Sequence, residues 1–326
     1  MPRIDLLVIC QPQHRSLRAL EALRDSADIS ITDEPQEAAQ RARTAEVILF
    51  SGLAGASVGL PSIWPAATAV RWVHTLSAGV DRVLFPALCA SPVLLTNARG
   101  VFKRSLAEFA VLGMLFHLKQ VRRLVENQRH HRWDDFEVRF AAARVMGVIG
   151  YGDIGRECAL LASGLGLKIH ALRRNPLKST GDALPERLFG PEHLHEFLAG
   201  VDVLVCAAPL TSETRHFLGD AEFRVMKPSA IVINVGRGPV IDEAALIRAL
   251  REGRIAAASL DVYEQEPLPS DSPLWELDNV LLSPHCADRT IDPDWLDLSM
   301  NFFVDNFRRY RNGQALLNIV DKQAGY

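Results

Sequence analysis

Four short apolar runs each end on side chains of a kind that does chemistry. "IVINVGRG" runs into Arg237, "ASLDVYEQEP" into Asp261, Glu264 and Glu266, "VLLSPHCA" into His285, and "VLVCAAPLTSET" into Pro209 and a series of hydroxyls. An arginine presents a planar fork that holds a carboxylate through two hydrogen bonds and polarises a neighbouring carbonyl. An imidazolium delivers a proton near neutral pH. A carboxylate beside it orients the ring and favours its charged form. Singly, each residue has a structural explanation: a loop cation, a turn acid before Pro267, a packed histidine. Together they are the parts needed to reduce a keto acid.

Such a reduction needs a hydride source, and the stretch Gly147 to Pro176, "GVIGYGDIGRECALLASGLGLKIHALRRNP", carries the signature of one. Gly150, Gly152 and Gly155 follow an apolar run and open a helical one, the context in which a glycine turn cradles a pyrophosphate. The helix start adds unpaired N–H groups and a partial positive charge. A carboxylate is expected roughly 20 residues further on, where it accepts the ribose hydroxyls of NAD. Arg173 and Arg174 stand there instead. Guanidinium groups match phosphate oxygens and keep their charge, so these two predict NADP(H), with a grip on its 2′-phosphate.

The elements that must position these residues read as an α/β protein. "LLVIC", "VILF", "RWVHTL" and "PVLLTN" form one series of strand-like runs. "RVMGVIG", "LKIHAL", "VDVLVCAA", "AIVINV", "AAASLDV" and "NVLLS" form a second. Continuous rather than alternating apolar runs predict parallel strands covered by helices on both faces. Ser105 to His130 predicts one long amphipathic helix between the series. "WLDLSMNFFVDNFRRYRNG" predicts a final helix that rejoins the first unit, which makes the second an insertion.

A net charge of −3 with no basic block argues against nucleic acid as the main partner. The cysteines form no CxxC pair and sit mostly in apolar runs, which points to buried thiols rather than a disulfide framework or a metal site. "MPRIDLLVIC" has too short an apolar run for a secretory signal, and no stretch nears the roughly 20 apolar residues of a membrane span. A soluble, cytoplasmic protein is expected.

From about Trp72 to the C-terminus the chain resembles the D-2-hydroxyacid dehydrogenase family, above all its glyoxylate/hydroxypyruvate reductase branch. The motifs are "LSAGVD" (76–81), "GYGDIG" (150–155), "PLTSET" (209–214), "INVGRGPVID" (233–242), "LDVYEQEP" (260–267) and "SPH" (283–285). The resemblance implies two doubly wound parallel-sheet domains. A Rossmann cofactor domain (105–288) would be inserted into a flavodoxin-like substrate domain (1–104 and 289–326), with the site in the cleft. It makes Arg237 the residue that binds and polarises the substrate, His285 the proton donor and Glu266 its partner. Ser77, Ala78 and Gly79 would hold the substrate carboxylate. Gly150, Gly152, Asp153, Ile154, Gly155, Arg173, Arg174, Ala208, Pro209, Thr214, Val235, Gly236, Arg237 and His285 would line the cofactor, with Asp261 at the nicotinamide carboxamide.

The implied activity is reduction of small 2-keto acids to D-2-hydroxy acids by a homodimer, with NADP(H) preferred and NAD(H) possible. Trp133 is expected at dimer contacts, at the cleft or in simple packing. In "HCADRT", Asp288 stands where the family often has a small residue. Two other readings are a cofactor-sensing, corepressor-like protein and a dehydrogenase for another small acid such as formate or phosphite. The complete arginine–glutamate–histidine set disfavours the first. Glu266, where formate dehydrogenases usually carry Gln, disfavours the formate version.

Overall fold

A computed structural model describes residues 2–51, 57–289 and 297–326. Thr290, and Trp295 and Leu296 at the start of the anticipated last helix, lie outside the described residues. The chain divides into two units, Met1–Phe102 with Thr290–Tyr326, and Lys103–Arg289.

The first unit holds five parallel strands, β1 (Ile4–Ile9), β2 (Ala27–Thr32), β3 (Val47–Phe50), β4 (Trp72–Thr75) and β5 (Leu94–Asn97), in the order β2-β1-β3-β4-β5. That order is flavodoxin-like. Leu6, Leu7, Val8 and Ile9 are all fully buried, as a strand covered on both faces requires. β2 was not anticipated: its "ADISIT" mixes polar with apolar residues because it lies at the sheet edge. The helix Leu298–Arg311 belongs to this unit and lays Phe303 on Trp72, with ring centroids 5.4 Å apart. Beneath them the Thr96 hydroxyl accepts from Trp72 Nε1 at 2.8 Å and pairs with Nδ1 of buried His74 at 2.6 Å. Burial drives the His74 pKa from 6.5 down to about 3.

The second unit holds seven parallel strands: β6 (Val145–Ile149), β7 (Lys168–Leu172), β8 (Arg187–Phe189), β9 (Val203–Cys206), β10 (Ile231–Asn234), β11 (Ala257–Leu260) and β12 (Val280–Leu282). Their order is β12-β11-β10-β9-β6-β7-β8. Counted from β6, this is the dinucleotide-binding order with one strand added, and its direction reverses between β6 and β9. β8, a short edge strand, was also not anticipated.

The stretch from Ser105 to His130 is not one helix. Lys103–Leu118 and Val121–Arg129 are separate helices, broken at Gln120, whose φ of 51° is left-handed. Leu118 is buried but Leu124 and Val125 are exposed, so the apolar stripe does not continue onto the same surface. Side chains at the break bond to the returning chain instead, Lys119 Nζ to the Arg139 carbonyl at 2.7 Å and Gln120 Nε2 to that of Glu137 at 2.8 Å. Earlier in the first helix, Gly113 passes so close to β11 that a Cβ there would lie 2.7 Å from Ser259. One turn on, His117 Nε2 meets the Ala258 carbonyl at 2.9 Å, and burial lowers its pKa to about 4.

Candidate active site

The glycine turn sits at the point where the sheet order reverses. Gly150 follows β6 with φ +84°, and a Cβ on it would lie 2.5 Å from the Ala208 amide nitrogen at the end of β9. A Cβ on Gly155 would come 2.4 Å from the Gly150 carbonyl, so the helix Asp153–Gly164 can start this close to the turn only without one. Around Gly152 nothing lies within 4 Å of the corresponding position, leaving that side of the turn open at the helix start. A tight crossing, an open face and a helix N-terminus are what a dinucleotide pyrophosphate requires, and the residues present fit one.

Beyond the turn, Arg173 follows β7 and donates its backbone N–H to the Phe189 carbonyl at 3.1 Å. Its Nη1 donates to the hydroxyl of buried Ser179. Arg174 is exposed and reaches Glu213 at 3.4 Å. After β9, Ala208 is buried and Pro209 exposed. The Thr214 hydroxyl closes the following turn by donating to the Pro209 carbonyl at 2.6 Å and accepting the Thr211 N–H at 2.7 Å.

The turn after β10 is clamped by a buried amide. Asn234 accepts the Gly236 N–H through Oδ1 at 3.1 Å and donates from Nδ2 to the Arg237 carbonyl at 3.1 Å. Arg237 Nη1 donates to the Gly236 carbonyl at 2.9 Å, while Val235 donates its N–H to Cys206 on β9. Gly238 lies against the chain after β11, where a Cβ would come 1.8 Å from the Tyr263 carbonyl oxygen. Arg237 is thereby held beside the segment that carries Glu266.

The ends of β11 and β12 are locked together by Asp261 and Tyr263. Asp261 Oδ1 accepts from Ser283 Oγ at 2.7 Å, the Cys286 N–H at 2.9 Å and the Ala287 N–H at 3.1 Å. The Tyr263 hydroxyl donates to the Ser283 carbonyl at 2.7 Å and accepts the Ser283 N–H at 3.1 Å. This frame carries His285, whose φ of 51° costs a non-glycine residue about 1 kcal/mol or more and is a strain typical of functional positions. His285 Nδ1 lies 2.7 Å from Glu266 Oε2, and Glu266 Oε1 accepts the Tyr263 N–H at 3.2 Å. Both carboxylate oxygens are thus engaged, one by the ring and one by the frame. Asp288 is half-buried; burial raises its carboxyl pKa, and the charge of His285 works against that rise.

The loop Ser77–Gly79 lies in the first unit, just past β4. Its carbonyls are taken by that unit's own donors: Ser77 by the Ala98 N–H at 3.1 Å, Ala78 by Asn97 Nδ2 at 2.6 Å and Gly79 by the Ser77 hydroxyl at 2.7 Å.

Residues 111–287 match the sequence model of the D-isomer specific 2-hydroxyacid dehydrogenase NAD-binding domain. The chain belongs to the D-isomer specific 2-hydroxyacid dehydrogenase family. It is 37% identical over 262 residues to glyoxylate/hydroxypyruvate reductase B of Yersinia pestis, covering 78% of each chain. It is 32% identical over 275 residues to a glyoxylate reductase of Korarchaeum cryptofilum, covering 80% of this chain and 79% of the other. A D-isomer specific 2-hydroxyacid dehydrogenase from Xanthobacter autotrophicus, solved with NADPH and MES, superposes with a TM-score of 0.81 at 32% identity, covering all of both chains.

Family membership makes this dehydrogenase an oxidoreductase that uses NAD(P) and interconverts 2-keto and 2-hydroxy acids. Of the residues singled out from sequence, the structure brings Glu266 and His285 into contact and sets Gly150 against Ala208. Asn234, Tyr263 and Ser283 fall inside motifs noted in the sequence but received no role there, although each holds a segment bearing a candidate residue. A polar residue at the end of an otherwise apolar run was the available signal for Asn234. Tyr263 and Ser283 reveal themselves only when two distant strand ends are seen side by side.

Proposed function

We propose that this dehydrogenase reduces small 2-keto acids of the glyoxylate and hydroxypyruvate type to D-2-hydroxy acids, with NADPH preferred over NADH. The observation that carries the reading is the 2.7 Å contact between His285 and Glu266 at neighbouring strand ends of a dinucleotide-binding sheet. NADPH, when bound, supplies the hydride that the carbonyl carbon accepts. His285 passes a proton from Nε2 to the carbonyl oxygen, because Nδ1 is committed to Glu266. Arg237 holds the substrate carboxylate and polarises the carbonyl. Arg173 and Arg174 receive the 2′-phosphate, and Asp261 the nicotinamide carboxamide. Residues 105–288 form the cofactor domain, and 1–104 with 289–326 the substrate domain, where the amides of Ser77, Ala78 and Gly79 face the substrate carboxylate. NADPH in the Xanthobacter structure and the names of the two relatives support this reading.

The proposed assembly is a cytoplasmic homodimer. Trp133 is fully exposed and Phe140 is 79% exposed on an irregular segment that Asp134 ties to the helix Val121–Arg129, and such exposed apolar side chains are suited to contact with a second copy. Among the described residues, no helix is long and apolar enough to cross a membrane. Steady-state kinetics on a panel of 2-keto acids with both cofactors tests the function. The highest kcat/KM is expected for glyoxylate or hydroxypyruvate with NADPH. A preference for NADH would remove the cofactor assignment, and inactivity toward every 2-keto acid would remove the function.

A further inference from the structure

The guanidinium assigned to the 2′-phosphate is built into a network that the glycine motif does not require. Tyr151, directly after Gly150, is buried and donates its hydroxyl to Asp182 Oδ2 at 3.0 Å. The same carboxylate takes Arg156 Nε at 2.6 Å and Nη2 at 3.3 Å from the helix that follows the turn, and its Oδ1 caps the Leu184 N–H at 3.1 Å. Asp182 donates its own N–H to the Ser179 carbonyl at 3.0 Å, and the Ser179 hydroxyl receives Arg173. One acid therefore joins the glycine turn, the first helix and the turn that seats the arginine. Arg156 holds the Asp182 carboxyl below the usual carboxylate range, so its negative charge is present and matched by a cation. An unmatched carboxylate this close to a phosphate site would repel the ligand.

We propose that Asp182 and Ser179 are positioning residues for NADP(H) selectivity, Ser179 aiming the Arg173 guanidinium and Asp182 fixing the turn that carries Ser179 to the glycine loop. The inference rests on the assignment of Arg173 to the 2′-phosphate. An NAD(H) ribose lacks that phosphate, so the arrangement matters to one cofactor and not to the other.

The test is equilibrium binding of NADPH and NADH to the full-length protein by isothermal titration calorimetry, using wild type, Asp182→Asn, Ser179→Ala and Arg173→Ala. Asp182→Asn keeps the shape of the side chain, and Ser179→Ala removes a single hydroxyl, so a folding defect in one leaves the other to report. The expected result is a rise of about 10-fold in the Kd for NADPH in Asp182→Asn and Ser179→Ala, the loss of one hydrogen bond's worth of placement, with the Kd for NADH within about twofold of wild type. Equal weakening of both cofactors would overturn the inference, because it would mark a purely structural role. Unchanged binding in these two variants, with selective loss of NADPH in Arg173→Ala, would overturn the inference and leave the arginine assignment standing. No selective loss in Arg173→Ala would remove that assignment, and the inference with it.

Discussion

Glu266 divides its two oxygens between His285 Nδ1 at 2.7 Å and the Tyr263 N–H at 3.2 Å. The ring is therefore oriented by a carboxylate that is itself fixed to the end of β11. Glu266→Gln keeps the shape but replaces the anionic partner of His285 Nδ1 with a neutral amide. The expected outcome in steady-state assays is a fall in kcat of roughly 100-fold, the lower range for general acid–base help, with NADPH affinity unchanged. A matching loss of NADPH affinity would place Glu266 in cofactor binding instead.

Arg173 supplies the charge that distinguishes the two cofactors in this account. Charge-assisted hydrogen bonds to phosphate are worth about 1.5–3 kcal/mol, so Arg173→Ala is expected to raise the KM for NADPH by at least about 10-fold. The KM for NADH should move little. Parallel assays with both cofactors check this, and equal effects on the two would count against it.

Gly238 permits the closest approach in the site, with the Tyr263 carbonyl 1.8 Å from where a Cβ would stand. Both partners are backbone, so neither can swing aside. Gly238→Ala should destabilise the second unit by about 1–3 kcal/mol, the usual range for overpacking, and lower kcat by shifting Arg237. Denaturant unfolding and turnover of the same preparation check both effects.

One buried histidine, His74, and one half-buried, His117, set an acid limit on stability. The His74 pKa falls from 6.5 to about 3 and that of His117 to about 4 on folding, both chiefly through burial. Each therefore contributes stability that is fully present above pH 6.5 and is lost as pH falls toward the folded value, because only the unfolded chain takes up the proton. The slope approaches about 1.4 kcal/mol per pH unit for each group. Denaturation midpoints should drop between pH 7 and pH 5, and the drop should shrink in His117→Gln. A flat profile over that window would contradict the burial argument.

The candidate residues Arg237, Glu266 and His285 stood out because apolar strand runs end abruptly on them, and parallel sheets place ligands beyond such ends. The glycine turn was legible because its spacing encodes backbone contacts rather than side-chain contacts. Edge strands were harder to read: β2 carries Asp28 and Ser30, and β8 has three residues, so neither shows a continuous apolar run. The helix break at Gln120 was hidden because a left-handed glutamine leaves no compositional mark. Tyr263 and Ser283 join neighbouring strand ends, contacts that exist only after the sheet has assembled, whereas Asn234 braces its own turn through Gly236 and Arg237.

The most direct test of the account is single-turnover reduction of glyoxylate by His285→Ala, with NADPH binding measured on the same sample. The account predicts that NADPH binds as it does to wild type while reduction slows by about 100-fold to 10,000-fold. Reduction within a few-fold of the wild-type rate would contradict the assignment of His285 as proton donor.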